Sequence, residues 1–222
     1  MIRLTEVDLP QAYRYMGMHT EPDERMQELA IVCEKRLLSL VSPRYIHLVC
    51  PIRQTEDGIL CEGTTLLLTG KDIAAHLDGC DRAVILCATL SAGAEAAIRQ
   101  AGASDVLAGM MTDAMASALT EQLCDAAEQE ILAGLPETHP TWRFSPGYGD
   151  LPLTVQGDLL RTVNAEKRLG VTLSESGMLI PSKTVTAIIG LSSQPVQKGK
   201  RGCAVCNMNK TCPYRAKGVH CA

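Results

Sequence analysis

Two groups of residues in this 222-residue chain are of types and spacings that do chemistry. The first is the run Trp142-Arg143-Phe144-Ser145-Pro146-Gly147-Tyr148-Gly149-Asp150. The chain has one Trp, one Phe and five Tyr, yet three of these aromatics fall within seven residues. Concentrated in a Pro/Gly segment, they describe a preformed binding surface. Glycine lets backbone donors and acceptors approach a ligand, and proline limits the entropy lost on ordering. A tyrosine face can lie against a nucleobase or a cation, and Arg143 offers a forked clamp for a carboxylate or phosphate. Pro-Gly-Tyr also occurs in ordinary turns, so a packing role is the competing reading of the loop. The second group is Cys203-x2-Cys206-x5-Cys212-x8-Cys221, four of ten cysteines within nineteen residues. Four thiolates at such spacings suit tetrahedral zinc or an iron-sulfur cluster, with His220 as a substitute ligand. Ligand softness and count fit either metal, and a tail of reactive thiols is the alternative.

The elements that must position these residues are legible in the hydrophobic pattern. A helix opens at Thr20 to Glu24, with Pro22 and acids in its first turn, repeats Met26, Leu29, Cys33, Leu37 and Leu40 on one face, and ends before Ser42-Pro43. Tyr45 to Cys50 and Thr64 to Leu68 read as strands around a turn at Glu56-Asp57-Gly58. Lys71 to Leu77 reads as a short helix, Ala83 to Thr89 as a buried central strand and Ala92 to Ala101 as a further helix. From about Ser104 to Ala133 one broad apolar face repeats at helical spacing, predicting a spine of roughly 28 residues, about 42 Å long. Met110, Met111 and Met115 read as core packing on it. Pro136 to Pro152, with four prolines, is an ordered loop. Leu153 to Leu169 reads as one helix, weakest at Gly157 and stopped by Gly170; Val171 to Leu173 and Thr184 to Ile189 read as strands. Irregular alternation of helices and strands predicts an α+β fold, a mixed, largely antiparallel sheet packed with a long central helix. Residues 1–194 form the domain, and 195–222 a linker and Cys-rich tail.

Charge and composition narrow the function classes. Net charge is −4, but residues 192–222 carry six basic residues and no acid, which leaves −10 on the rest. An acidic body with a short basic end does not fit a nucleic-acid-binding domain, which presents a broad basic face. The start of the chain lacks an apolar leader segment and no apolar run is long enough for a membrane span, which predicts a cytoplasmic protein. In a reducing compartment Cys33, Cys50, Cys61, Cys80, Cys87 and Cys124 are expected as small buried hydrophobes. Walker A, dinucleotide-binding and zinc-protease patterns are absent, and Ser174-Glu175-Ser176 is not a nucleophile elbow.

Arg143 to Tyr148, the helix to Gly170, then Leu173-Ser174-Glu175-Ser176-Gly177-Met178-Leu179-Ile180-Pro181 and Thr184-Val185-Thr186 fall in an order that resembles the C-terminal activation domain of cobalamin-dependent methionine synthase. The match is specific across residues 143–191 and weaker across the Ser104 to Ala133 helix. The resemblance implies S-adenosylmethionine binding, so that one-electron reduction of an inactive Co(II) corrinoid can be coupled to methyl transfer onto cobalt. It implies that Arg143 binds the methionyl carboxylate, that Ser145 and Gly147 belong to the ligand loop with Ser145 contributing backbone contacts, and that Tyr148 lies beside the ligand. It further implies an acidic contact from the long helix, for which Glu121 is the candidate, a solvated face being the other reading. The family's larger form follows its Gly-Tyr with Cys-Pro-Asp/Glu-His, whereas this chain has Gly149-Asp150-Leu151-Pro152-Leu153, and its later aromatic pair falls at Thr186-Ala187.

On this reading the chain is a stand-alone component that supports reductive remethylation of the cobalamin of a separate methionine synthase or corrinoid protein. The partner supplies the cobalamin. Cys203, Cys206, Cys212 and Cys221 would hold zinc or an iron-sulfur cluster. The alternative is a redox or interaction protein that acts on a corrinoid partner through its metal tail without binding S-adenosylmethionine.

Overall fold

The computed structural model describes residues 2–18, 20–196 and 210–211. Six strands form one sheet: β1 (Arg44–Gln54), β2 (Ile59–Cys61), β3 (Leu67–Leu68), β4 (Arg82–Thr89), β5 (His139–Pro140) and β8 (Thr184–Ser192), in the order β3-β2-β1-β4-β8-β5. Two further strands, β6 (Thr172–Leu173) and β7 (Leu179–Ile180), pair as a separate antiparallel hairpin. β1 with β2, β2 with β3 and β5 with β8 are antiparallel. Backbone bonds at the strand ends fix the remaining directions. Ser42 N–H donates to Leu90 O and Ile52 N–H to Asp81 O, while Leu90 N–H donates to Lys183 O and Asp81 N–H to Leu191 O. The start of β1 therefore meets the end of β4, and the end of β4 meets the start of β8. The sheet is antiparallel throughout, joined to helices that include one of 28 residues, an α+β fold as the sequence predicts.

The chain divides into two compact units, and β1, β4 and β8 contribute residues to both. The first comprises Met1–His47, Leu86–Pro136 and Val163–Thr186. It holds α1 (Leu9–Tyr15), α2 (Glu24–Leu40), α4 (Ala92–Ser104), α5 (Val106–Ala133) and α7 (Ala165–Leu169). Its core is built largely from alanine with Leu37, Leu90, Met111, Met115, Leu119 and Leu123 as the larger side chains. Small residues let helices approach closely: a Cβ at Gly109 would lie 2.8 Å from the Gly102 Cα, so α4 and α5 meet at backbone distance. Asp105 separates these two helices. Its N–H closes α4 on Ala101 O at 3.0 Å, and its carboxylate caps α5 by accepting from Leu107 N–H at 2.9 Å. Thr112 and Thr120 are buried on α5 and donate to Ala108 O and Ala116 O, each at 2.7 Å, which satisfies hydroxyls that burial would otherwise strand.

The second unit comprises Leu48–Ile85, Glu137–Thr162 and the described residues from Ala187 on. It holds β2, β3, β5, the short helix α3 (Lys71–His76), and most of α6 (Gln156–Val163), which follows a 3-10 turn at Leu153–Val155. Buried Ile59, Leu66, Leu68, Ile73, Leu151 and Leu159 supply its apolar core. The Glu56-Asp57-Gly58 turn is present, closed by Thr55 N–H to Gly58 O at 2.7 Å.

Several local expectations need correction. The helix expected from Leu153 to Leu169 is interrupted at Asn164, which adopts the left-handed conformation, rather than at Gly157. Asparagine tolerates that region through local hydrogen bonding, and Gly157 sits within α6. Met111 and Met115 are buried, but Met110 is 57% exposed, one step off the core-facing stripe. The strand expected from Thr64 to Leu68 is reduced to Leu67–Leu68 because Thr64 closes a turn, N–H and hydroxyl both donating to Cys61 O. Of the six body cysteines, five are buried and Cys80 is half-buried, all as free thiols. Burial pushes the Cys87 thiol up to about 12 and the Cys80 thiol to about 11, so both stay protonated and unreactive at neutral pH.

Candidate ligand-binding loop

The segment that follows β5 is held on the edge of β8. His139 pairs with Ser192 and Pro140 with Leu191. Thr141 N–H donates to Gly190 O at 2.9 Å, and Phe144 and Ile188 exchange N–H to C=O bonds of 2.9 and 2.8 Å. Between those two anchor points Trp142 and Arg143 stand opposite Ile189 alone, which makes a β-bulge. A bulge bends its strand and re-aims the extra side chains, and Arg143 is one of the two residues it re-aims.

After Phe144 the chain turns at once. Tyr148 N–H donates to Ser145 O at 3.0 Å, with Pro146 at the second position and Gly147 at φ +90° in the third. That is a type II turn, for which proline then glycine are the favoured residues. Gly147 N–H donates to Leu151 O and Leu151 N–H to Tyr148 O, at 2.8 and 3.1 Å. The turn is therefore closed by its own backbone.

Four rings gather here. Trp142 and Phe144 are stacked at 5.2 Å, Tyr148 meets Phe144 edge-on at 5.9 Å, and the His76 ring packs against Trp142 at 4.5 Å. Phe144 is buried, whereas Tyr148 is 52% exposed. The cluster presents one tyrosine, backed by an indole and a phenyl ring, to solvent.

Two polar groups secure the loop from α3. His76, buried at 7% exposure, has its Nε2 2.8 Å from Trp142 O and 2.8 Å from Thr141 Oγ1. A carbonyl can only accept, so Nε2 carries the proton. Thr141 Oγ1 in turn accepts from Gly190 N–H at 2.8 Å. Burial holds the His76 pKa down at about 4, so the ring is neutral at physiological pH. At the loop's other end Asp150 accepts from Lys71 N–H at 2.7 Å and from Asp72 N–H at 3.0 Å. Its own N–H donates to Asp72 Oδ2 at 3.1 Å. These backbone donors, first Asp72 and then Lys71, lower the Asp150 pKa. The clasp leaves no room for side chains beside it: a Cβ at Gly70 would strike the Asp150 carboxylate, and one at Gly149 the Asp72 carboxylate.

Of the expected site residues, the second unit thus brings together Arg143, Ser145, Gly147 and Tyr148. Arg143 and Ser145 are half-buried, Gly147 and Tyr148 exposed. Glu121 lies in the first unit, half-buried on α5, where its charge acts on Tyr15. The Tyr15 hydroxyl accepts from Gln11 Nε2 at 2.7 Å, and burial raises its pKa. Cys203, Cys206, Cys212, Cys221 and His220 lie outside the described residues. Among the described residues no group of three or more His, Cys, Asp or Glu is placed to hold a metal ion, and no helix is long and apolar enough to cross a membrane. His76, Thr141, Asp72 and Asp150 were not anticipated from sequence. The one available signal was Asp150 itself, in the stretch where the chain departs from the methionine synthase pattern: the departure supplies the carboxylate that caps α3.

A crystal structure of the MetH reactivation domain bound to AdoHcy superposes on this chain with a TM-score of 0.62, covering 97% of this chain and 85% of the other. The fold is that of the MetH reactivation domain. Sequence identity over the match is 16%, so the similarity lies in the architecture. The sequence matches no protein-family model and no curated protein.

Proposed function

We propose that this chain binds S-adenosylmethionine at the Arg143 to Tyr148 loop and supports reductive remethylation of the cobalamin of a separate methionine synthase or corrinoid protein in the cytoplasm. The observation that carries the reading is the loop: the segment that resembles the family's ligand motif is a closed type II turn on a β-bulge. The similar solved domain has AdoHcy bound. The donor set suits a methionyl nucleoside. The Arg143 guanidinium offers paired donors for a carboxylate, and the exposed Tyr148 face offers a surface for a flat ring or a sulfonium. Glu121 on α5 is the acidic contact in this reading. When bound, S-adenosylmethionine supplies the methyl group that the reduced corrinoid receives. The chain's residues bind and orient, and the backbone turn fixes where Arg143 and Tyr148 stand before any ligand arrives.

In this proposal residues 1–194 form the ligand-binding part, while 195–222 form the linker and tail, with Cys203, Cys206, Cys212 and Cys221 holding zinc or an iron-sulfur cluster. Zinc and iron analysis of anaerobically purified full chain tests the tail directly.

Calorimetric titration of S-adenosylmethionine into the full chain tests the function. Saturable binding that Arg143→Ala weakens by about tenfold or more is the expected result, the scale of a lost charge-assisted hydrogen bond. No binding by the wild type, alone or with a cobalamin-loaded partner, overturns the reading and favours the redox or interaction alternative.

A further inference from the structure

We propose that α3, a helix of only six residues, is a bracket that sets the ligand loop, with His76 and Asp150 as positioning residues that determine affinity without touching the ligand. This rests on the assignment of the 143–148 loop as the ligand site. The helix grips the loop at both ends. From its last residue His76 Nε2–H reaches the carbonyl of Trp142, inside the bulge that re-aims Arg143. From its first turn the Lys71 and Asp72 N–H groups take the carboxylate of Asp150, two residues beyond Tyr148.

Each grip answers a specific need. A bulge leaves a carbonyl without its ladder partner, and the structure gives Trp142 O a buried imidazole donor at 2.8 Å. A helix N-terminus leaves N–H groups unsatisfied, and Gly70 at the N-cap position has no side chain to serve them. Asp150, 78 residues away in sequence, does so instead, and Asp72 returns a bond to Asp150 N–H. Without either grip the loop's own turn opens more often and the loop loses its fixed attitude on the sheet. A ligand must then order it at the moment of binding, which lowers affinity.

Two substitutions at His76 separate positioning from simple packing. His76→Leu suits an apolar setting but removes the donor, whereas His76→Gln keeps an N–H donor at similar reach. For a packing role leucine is the milder change; for positioning, glutamine is. Expected results are an S-adenosylmethionine Kd raised about tenfold in His76→Leu and in Asp150→Ala, and within about threefold of wild type in His76→Gln. A readout that needs no ligand accompanies them. Hydrogen exchange at the Gly147, Tyr148 and Leu151 amides should quicken about tenfold in Asp150→Ala and His76→Leu, with α5 amides such as Leu119 unchanged. Wild-type binding with unaltered affinity in both of these variants, or unaltered loop exchange, overturns the bracket and leaves the functional reading standing. Loop exchange that responds in both, with a wild type that binds no S-adenosylmethionine, overturns the functional reading and supports the bracket as the device that sets the loop.

Discussion

The helical packing of the first unit and the ligand loop of the second are ordered by different kinds of contact. In the first, alanine, glycine and a few large aliphatic residues bring α2, α4 and α5 into close packing, and its buried hydroxyls on α5 are satisfied by their own helix. In the second, the decisive contacts are polar and span long sequence separations: His76 to Trp142, Asp150 to Lys71 and Asp72, Thr141 to Gly190. Dispersion and apolar burial hold a shape but choose no unique orientation for a loop. Directional bonds from buried donors do choose one. The difference predicts that truncation in the helical core costs stability, whereas loss of a polar support costs the loop its geometry.

Cutting into the alanine-rich core is the harshest way to test that division. Leu119→Ala, at a fully buried position on α5, should cost about 2–5 kcal/mol in denaturant unfolding. A loss below about 1 kcal/mol would show that the first unit's core is not where the stability resides.

Acid tests the second unit. His76 titrates at about 4 in the folded chain against about 6.5 when unfolded, so the unfolded state binds more protons between those values. Stability from keeping the ring neutral is full above pH 6.5 and falls as pH drops toward 4, by up to roughly 3 kcal/mol. Unfolding free energies of wild type and His76→Gln between pH 7 and 4 should diverge in slope; parallel curves would remove His76 as the cause.

Gly149→Ala sharpens the contrast further. The residue has φ +52° and its Cβ would meet the Asp72 carboxylate, so a loss of about 1–3 kcal/mol is expected, with Asp150 released from the helix terminus. The smallest expected effect belongs to Asp113→Asn. Lys183 Nζ lies 2.9 Å from Asp113 Oδ1 and 2.9 Å from Ser117 Oγ, but Asp113 is half-exposed, so the loss should stay near 0.5–1 kcal/mol in thermal unfolding.

How far the sequence could be read follows the same divide. α2, α5 and β4 show in the hydrophobic pattern because their burial is periodic or continuous, and α5 matches the expected length of 28 residues. α1 was not anticipated: seven residues are too few for a period, and Pro10 in its first turn resembles a loop signal. β5 escaped because two residues paired through the backbone carry no side-chain signature. The loop itself was legible from its aromatics and its Pro-Gly pair. Its supports were not, because His76 and Asp150 act on backbone groups 66 and 78 positions away, and no local pattern marks such partners.

Trp142 is the chain's only tryptophan, and it sits in the bulge with the His76 ring 4.5 Å from its own. All indole emission from the folded protein therefore originates at one place, beside Arg143 and within 6.4 Å of Tyr148 by ring centroid. Protonated imidazole quenches indole, so emission excited selectively from Trp142 should dim as His76 takes up a proton. Excited at the red edge of its absorption, where tyrosine does not absorb, this one indole is an optical probe of the loop that needs no label.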